Sequence, residues 1–171
     1  MIGKLLPSLG TSAAALLVLA LLSWAGCASA PPNIERKLRF DTTPSANGGE
    51  PFYYLVRTSK EGEFLAETYS EAAARIVTEK PDPSVKGVVF AQPGRVQEST
   101  IEVEEDGSFA VFALFTTPGE PWKLLVSGPL YGAYVFEAVD GTIALRSSSK
   151  ELPKEPKKDD KEKRTPDDNN L

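Results

Sequence analysis

Side chains capable of covalent or acid–base chemistry are thinly spread along this chain. There is no histidine, and Cys27 is the only cysteine, so the commonest general base and the commonest metal ligands are missing together. Serines are plentiful, yet no Gly-X-Ser-X-Gly elbow presents one, and no Ser-X-X-Lys opens a helix. Lys60 directly follows Ser59, which sends the two side chains to different faces. Glu102, Glu104, Glu105 and Asp106 form the densest acidic cluster. Paired carboxylates can act as acid and base, but Glu102 and Glu104 alternate with Ile101 and Val103, so they form the solvent face of a strand. The cluster also lacks the oxygen-ligand spacing of a calcium loop. Gly48-Gly49 leads into a strand, which leaves no helix N-terminus to hold a phosphate. Trp122 and Tyr131 either line a ligand pocket or pack in a core. The pattern implies no enzyme, no cofactor and no metal site.

What remains of the chemistry is Cys27, and its setting gives it a purpose. Lys4 supplies a positive start, residues 13–24 an apolar run, and Ala25-Gly26 two small residues before the cysteine, which together predict a secretory signal peptide. A spanning helix needs about 20 apolar residues, more than this run supplies, so an uncleaved membrane anchor is the runner-up. Small-small-Cys after such a run resembles the lipobox of bacterial lipoproteins, with Trp24 where Leu is usual. Cleavage after Ala30 instead would leave Pro31 at the new N-terminus and discard the cysteine. A lone cysteine in an exported chain has no intramolecular partner, and lipidation explains it. One acyl chain holds only marginally to a bilayer, so stable anchoring implies a multiply acylated cysteine, with palmitate among its chains. Ala28 after the cysteine resembles an outer-membrane sorting signal.

These readings divide the chain into a signal peptide at 1–26, a lipidated tether at 27–36, a folded domain at 37–146 and a charged tail at 147–171. The net charge of -5, without a basic cluster in the body, argues against nucleic-acid binding. Leu38 and Phe40 alternate with Lys37, Arg39 and Asp41 in a first strand, and Phe52, Tyr54 and Val56 share one face of a second. Between them, residues 41–50 form a Thr/Pro/Ser/Asn/Gly loop, either a mobile connector or a binding loop. Leu65, Tyr69, Ala72 and Ile76 recur at helical spacing, which predicts one amphipathic helix, with a break near Ser70 whose hydroxyl caps a second segment. Pro81-Asp82-Pro83 ends it. Strands resume over 85–91, 96–104, 109–115, 122–126, 131–139 and 142–145, punctuated by Pro93-Gly94, a hairpin signal at Asp106-Gly107, and Asp140-Gly141. The sum is a mainly β protein, a two-layer antiparallel β-sandwich with one added helix. From Ser147 onward the composition cannot bury enough apolar surface to fold. Such a tail is either a solvated run or a contact with peptidoglycan or a partner.

The order of features goes further than composition. A lipoprotein cysteine, a strand, a Pro/Asn/Gly loop, a strand opened by Pro51, a helix introduced by Phe64, the Pro93-Gly94 turn, and an apolar strand leading to Trp122-Lys123 together resemble the TssJ family. These are the outer-membrane lipoproteins of the type VI secretion system. The resemblance implies a transthyretin-like sandwich on the periplasmic face of the outer membrane, held by lipid through acylated Cys27 and binding the periplasmic domain of the inner-membrane protein TssM. It further implies that the loop between the first two strands makes the contact, through Thr43, Pro44, Ser45, Ala46, Asn47, Gly48 and Gly49. The competing expectation is a periplasmic ligand carrier, with a cavity lined by Tyr53, Trp122 and Tyr131, or a generic envelope lipoprotein.

Overall fold

Backbone pairing begins before the apolar alternation does. The computed structural model describes residues 32–153 apart from 129; the signal segment, Cys27 and residues 154–171 lie outside them. Strand β1 (Asn33–Thr42) starts inside the segment expected to be tether, because its register with β4 (Val96–Glu104) runs from Asn33↔Glu104 to Asp41↔Val96. Backbone hydrogen bonds need no apolar side chains, so composition could not show where the strand starts. Arg36, also assigned to the tether, points inward and is 5% exposed.

The remaining strands are β2 (Phe52–Thr58), β3 (Val85–Ala91), β5 (Phe109–Leu114), β6 (Lys123–Val126), β7 (Ala133–Val139) and β8 (Thr142–Ser149). They form two four-stranded sheets, ordered β4-β1-β7-β8 and β3-β2-β5-β6, which makes the protein the mainly β sandwich its alternation predicts. One pair departs from the antiparallel pattern: β1 runs parallel to β7, with Phe40 beside Phe136. Asp106-Gly107 is not a hairpin turn, since it carries the chain from β4 in one sheet to β5 in the other. Turn residues specify a reversal of the chain and say nothing of which sheet receives the next strand. Asp140-Gly141 does close a hairpin, with Val139 opposite Thr142. Strand β8 continues to Ser149, past the boundary at 147 where disorder was expected, because Ser147, Ser148 and Ser149 pair with Val135, Tyr134 and Ala133.

The core lies between the sheets. Phe40 stacks on Tyr54 at 4.2 Å and on Phe136 at 5.5 Å, while Phe109 meets Tyr134 edge-on at 5.2 Å. Each fully buried ring contributes on the order of 2 kcal/mol. These contacts and the strand directions give the sandwich two poles. Asn33, Thr58, Glu104 and Phe109 mark one; Thr42, Phe52, Leu114 and Thr142 mark the other.

On its β5–β6 side the outer face of the second sheet is covered by two helices where one was expected, α1 (Glu61–Ala66) and α2 (Tyr69–Val77). The break falls before Ser70, at Thr68. The Thr68 side chain accepts from the Glu71 amide, and the Glu71 carboxylate accepts from the Thr68 amide at 2.8 Å, a reciprocal capping box. Phe64 and Tyr69 reach down to Phe112 and Trp122. Among the described residues no helix is long and apolar enough to cross a membrane.

Candidate functional site

The loop between β1 and β2 closes the pole opposite Asn33, and it is a fixed turn. Ala46–Gly49 forms a short 3-10 turn in which Asn47, Gly48 and Gly49 all have positive φ, at 53°, 65° and 85°. Three consecutive left-handed residues suit glycine and asparagine and strain most other types. Asn47 is buried and locks the turn. Its Nδ2 donates to Glu50 O at 3.0 Å and Pro51 O at 3.3 Å, and its Oδ1 accepts from Thr116 N at 2.6 Å. Asn47 N donates to Asp140 O at 3.1 Å, which joins the turn to the β7–β8 hairpin. Thr43 donates to Ala138 O through both its amide and its hydroxyl, each at 3.0 Å.

Neighbouring turns complete the surface. Gly94 N donates to Thr42 O at 2.9 Å, and a Cβ on Gly94 would meet Pro44 at 3.6 Å. Gly119 N donates to Gly141 O at 2.8 Å. Beneath them Tyr54 Oη lies 3.3 Å from Thr42 Oγ1, and burial pushes its phenol far above the usual value, with Asp41 adding to the rise and the Thr42 bond opposing it. Of the seven residues expected to meet a partner, Ala46 and Asn47 face inward and Thr43 is half-buried; Pro44, Ser45, Gly48 and Gly49 form the exposed tip. Such a tip offers backbone groups and small side chains on a rigid base, which suits a protein contact.

The helical flank is held differently. Arg57 on β2 and Glu67 before α2 are both buried; Arg57 Nη1 donates to Glu67 Oε1 at 3.3 Å, and Arg75 Nε donates to the same oxygen at 2.7 Å. Arg75 also pairs with Asp82, and Glu63 with Arg57. The carboxyl of Asp82 is held below its usual range, first by hydrogen bonds from the Ser84 hydroxyl and amide and then by Arg75. Lys123, the basic residue after Trp122, ends α1: its ammonium donates to Phe64 O at 2.5 Å and Glu67 O at 2.8 Å, and lies 4.7 Å from the Phe64 ring centre. A cation at a helix C-terminus satisfies carbonyls left without amide partners.

The other residues singled out in the sequence do not converge. Trp122 packs under the helices against Tyr69 and Phe112, Tyr131 is exposed at the pole of Asn33, and Tyr53 is exposed on the outer face of β2, so the three line no common cavity. Glu102, Glu104, Glu105 and Asp106 are exposed, and among the described residues no three acidic side chains are placed to hold a metal ion. Sequence reasoning missed the locking role of Asn47, for which Asn before Gly-Gly was the available signal. It also missed an exposed apolar strip on the outer face of β2 and β3, where Tyr53 and Phe90 rings stand 5.4 Å apart beside Val88.

Residues 53–138, half of the chain, match the family described as "IglE, N-terminal domain". No curated protein matches the sequence. Among solved structures, Serratia marcescens Lip, a membrane-bound component of the type VI secretion system, superposes with a TM-score of 0.55 at 15% identity, over 68% of this chain and 99% of Lip. The type VI secretion lipoprotein TssJ1 of Pseudomonas aeruginosa superposes with a TM-score of 0.50 at 11% identity, over 67% of this chain and 95% of TssJ1. At such identities the likeness is one of fold, and it is the TssJ-like fold that the order of sequence features resembles.

Proposed function

The chain belongs to the family of IglE N-terminal domains, and from that premise we propose that it is a lipoprotein of the type VI secretion membrane complex. In this reading Cys27 is acylated and holds the protein on the periplasmic face of the outer membrane. The exposed tip of the 43–49 loop engages the periplasmic domain of a TssM-like inner-membrane protein. The role is structural, a bridge between two envelope layers, and asks for no catalysis.

The observation that carries this reading is the polarity of the sandwich. Cys27 precedes β1, and the candidate loop follows it. Five residues, 28–32, separate the cysteine from Asn33, a span of at most about 20 Å when extended. β1 then runs ten residues, about 30 Å, to the opposite pole. A tether at one end and a rigid contact surface at the other is what a spacer between a bilayer and a partner requires.

Two measurements test it. Cys27→Ser should move the exported protein from the membrane fraction to the soluble periplasm while leaving it folded; continued membrane retention would overturn the lipid anchor. Ser45→Arg alters the exposed tip without touching the bonds of Asn47, and should weaken binding to the purified periplasmic domain of the TssM-like protein by tenfold or more. Unchanged affinity in a folded variant rules the loop out. Deleting 43–49 is a poorer test, because it also removes Asn47 and its bonds to three segments.

A further inference from the structure

We infer that the free edge of β3 is a second contact for the same partner, receiving an extended, apolar segment of it as an added strand. The inference rests on the partner reading of the 43–49 loop and extends it along the side of the sandwich. β3 pairs with β2 alone, so its outer edge carries backbone amides and carbonyls without strand partners. At the corner, Gly87 packs near Ile101 and Ser99 of β4, but β4 belongs to the other sheet.

The four edges of the two sheets differ in how they meet solvent. β4 exposes Glu98, Glu102 and Glu104, β6 is four residues long, and β8, which exposes Leu145, ends in three serines and carries Arg146 paired to Glu137. Charges and short length discourage strand addition. β3 carries a single exposed charge, Lys86 near its start, and beyond it exposes Val88 at 44% and Phe90 at 48%, flanked by Tyr53 at 42% on β2. On this same face Phe64 of α1 packs against Phe112, whereas Tyr53, Val88 and Phe90 stay exposed. An incoming strand would satisfy the backbone edge, and its alternate apolar side chains would cover Val88 and Phe90.

Two observations select the occupant. The strip adjoins the loop pole: Tyr53 follows Glu50 by three residues, and the turn after Phe90 packs against Pro44 through Gly94. One partner can therefore reach both surfaces. A second copy of this chain fits poorly, because symmetric self-pairing of β3 must be antiparallel and would set the two Asn33 poles, and so the two lipid tethers, at opposite ends.

The test is hydrogen exchange on the full lipidated chain in detergent, with and without the purified periplasmic domain of the TssM-like protein. Bound partner should slow alternate amides of β3 by tenfold or more and leave the β4 and β8 edges unchanged. Phe90→Glu and, separately, Val88→Glu should each weaken binding by tenfold or more, whereas Val96→Glu on the neighbouring edge should not. If β3 amides exchange as before while Ser45→Arg still abolishes binding, strand addition is overturned and the loop reading stands. If β3 is protected and Phe90→Glu matters but Ser45→Arg does not, the strand contact stands and the loop reading falls. Protection that grows with protein concentration and without the partner would identify a second copy and overturn the assignment, as would absence of any binding.

Discussion

The loop pole and the helical flank are fastened to the same sandwich by different forces. At the pole, neutral hydrogen bonds to backbone groups and three left-handed residues hold the turn, and the side chains left outside are small. On the flank, Glu67 sits between Arg57 and Arg75, and Lys123 covers the end of α1. Neutral bonds of this kind are directional and insensitive to salt, so they suit a surface that must keep one shape for a partner. The charged network is the means of laying two short, poorly buried helices over a sheet: α1 buries no residue fully, so packing alone gives it little.

Breaking the flank should have the largest effect. Glu67→Ala removes the buried carboxylate from Arg57, whose side chain is 6% exposed, leaves it only the exposed Glu63, and should cost about 3 kcal/mol in urea unfolding. A loss below about 1 kcal/mol would show the network to behave like a surface ion pair. At the pole, Asn47→Ala orphans Thr116 N and puts a Cβ-bearing residue without a local side-chain bond in the left-handed region, for about 2 kcal/mol. Asn47→Gly should recover part of that, because it keeps the φ and loses only the bonds. Thr68→Ala removes the cap of α2 and should cost about 1 kcal/mol, read in the same unfolding curves.

The smallest effect sharpens the contrast most. Hydrogen bonds from Thr68 hold the Glu71 carboxyl below its usual value, and Ser84 and Arg75 do the same for Asp82. Their folded values lie below the unfolded ones, near about 4, so their contribution is complete above that range and is lost as pH falls through the folded values. The bonds of Asn47 involve no titrating group. Hydrogen exchange at falling pH, corrected for intrinsic rates, should show α2 losing protection before residues 46–50 do. Simultaneous loss would mean the two regions open as one unit.

Much of the architecture was legible because period-two alternation is a direct consequence of strand geometry: Phe52, Tyr54 and Val56 face the core as their spacing requires. The helix pair was half legible. Its apolar spacing was plain, but the break went to Ser70, since several hydroxyls in one stretch can cap and only backbone geometry picks Thr68. The strip of Tyr53, Val88 and Phe90 was not legible at all, because an apolar residue on a strand reads as buried until the extent of the covering helices is known.

For this protein, composition and pattern alone determined the β-sandwich, the lack of histidine-based chemistry, the anchor expectation at Cys27 and the position of the loop in the chain. These follow from local rules: residue type, periodicity and the conformational freedom of glycine and asparagine. Tertiary structure alone decided that β1 begins at Asn33 and lies parallel to β7, that Asp106-Gly107 crosses between sheets, that Asn47 is a buried lock, and that Lys123 ends a helix 59 residues earlier in the chain, at Phe64. Each of these depends on contacts between distant segments, and no local pattern encodes which of many compatible partners a strand edge, an amide or an ammonium will meet.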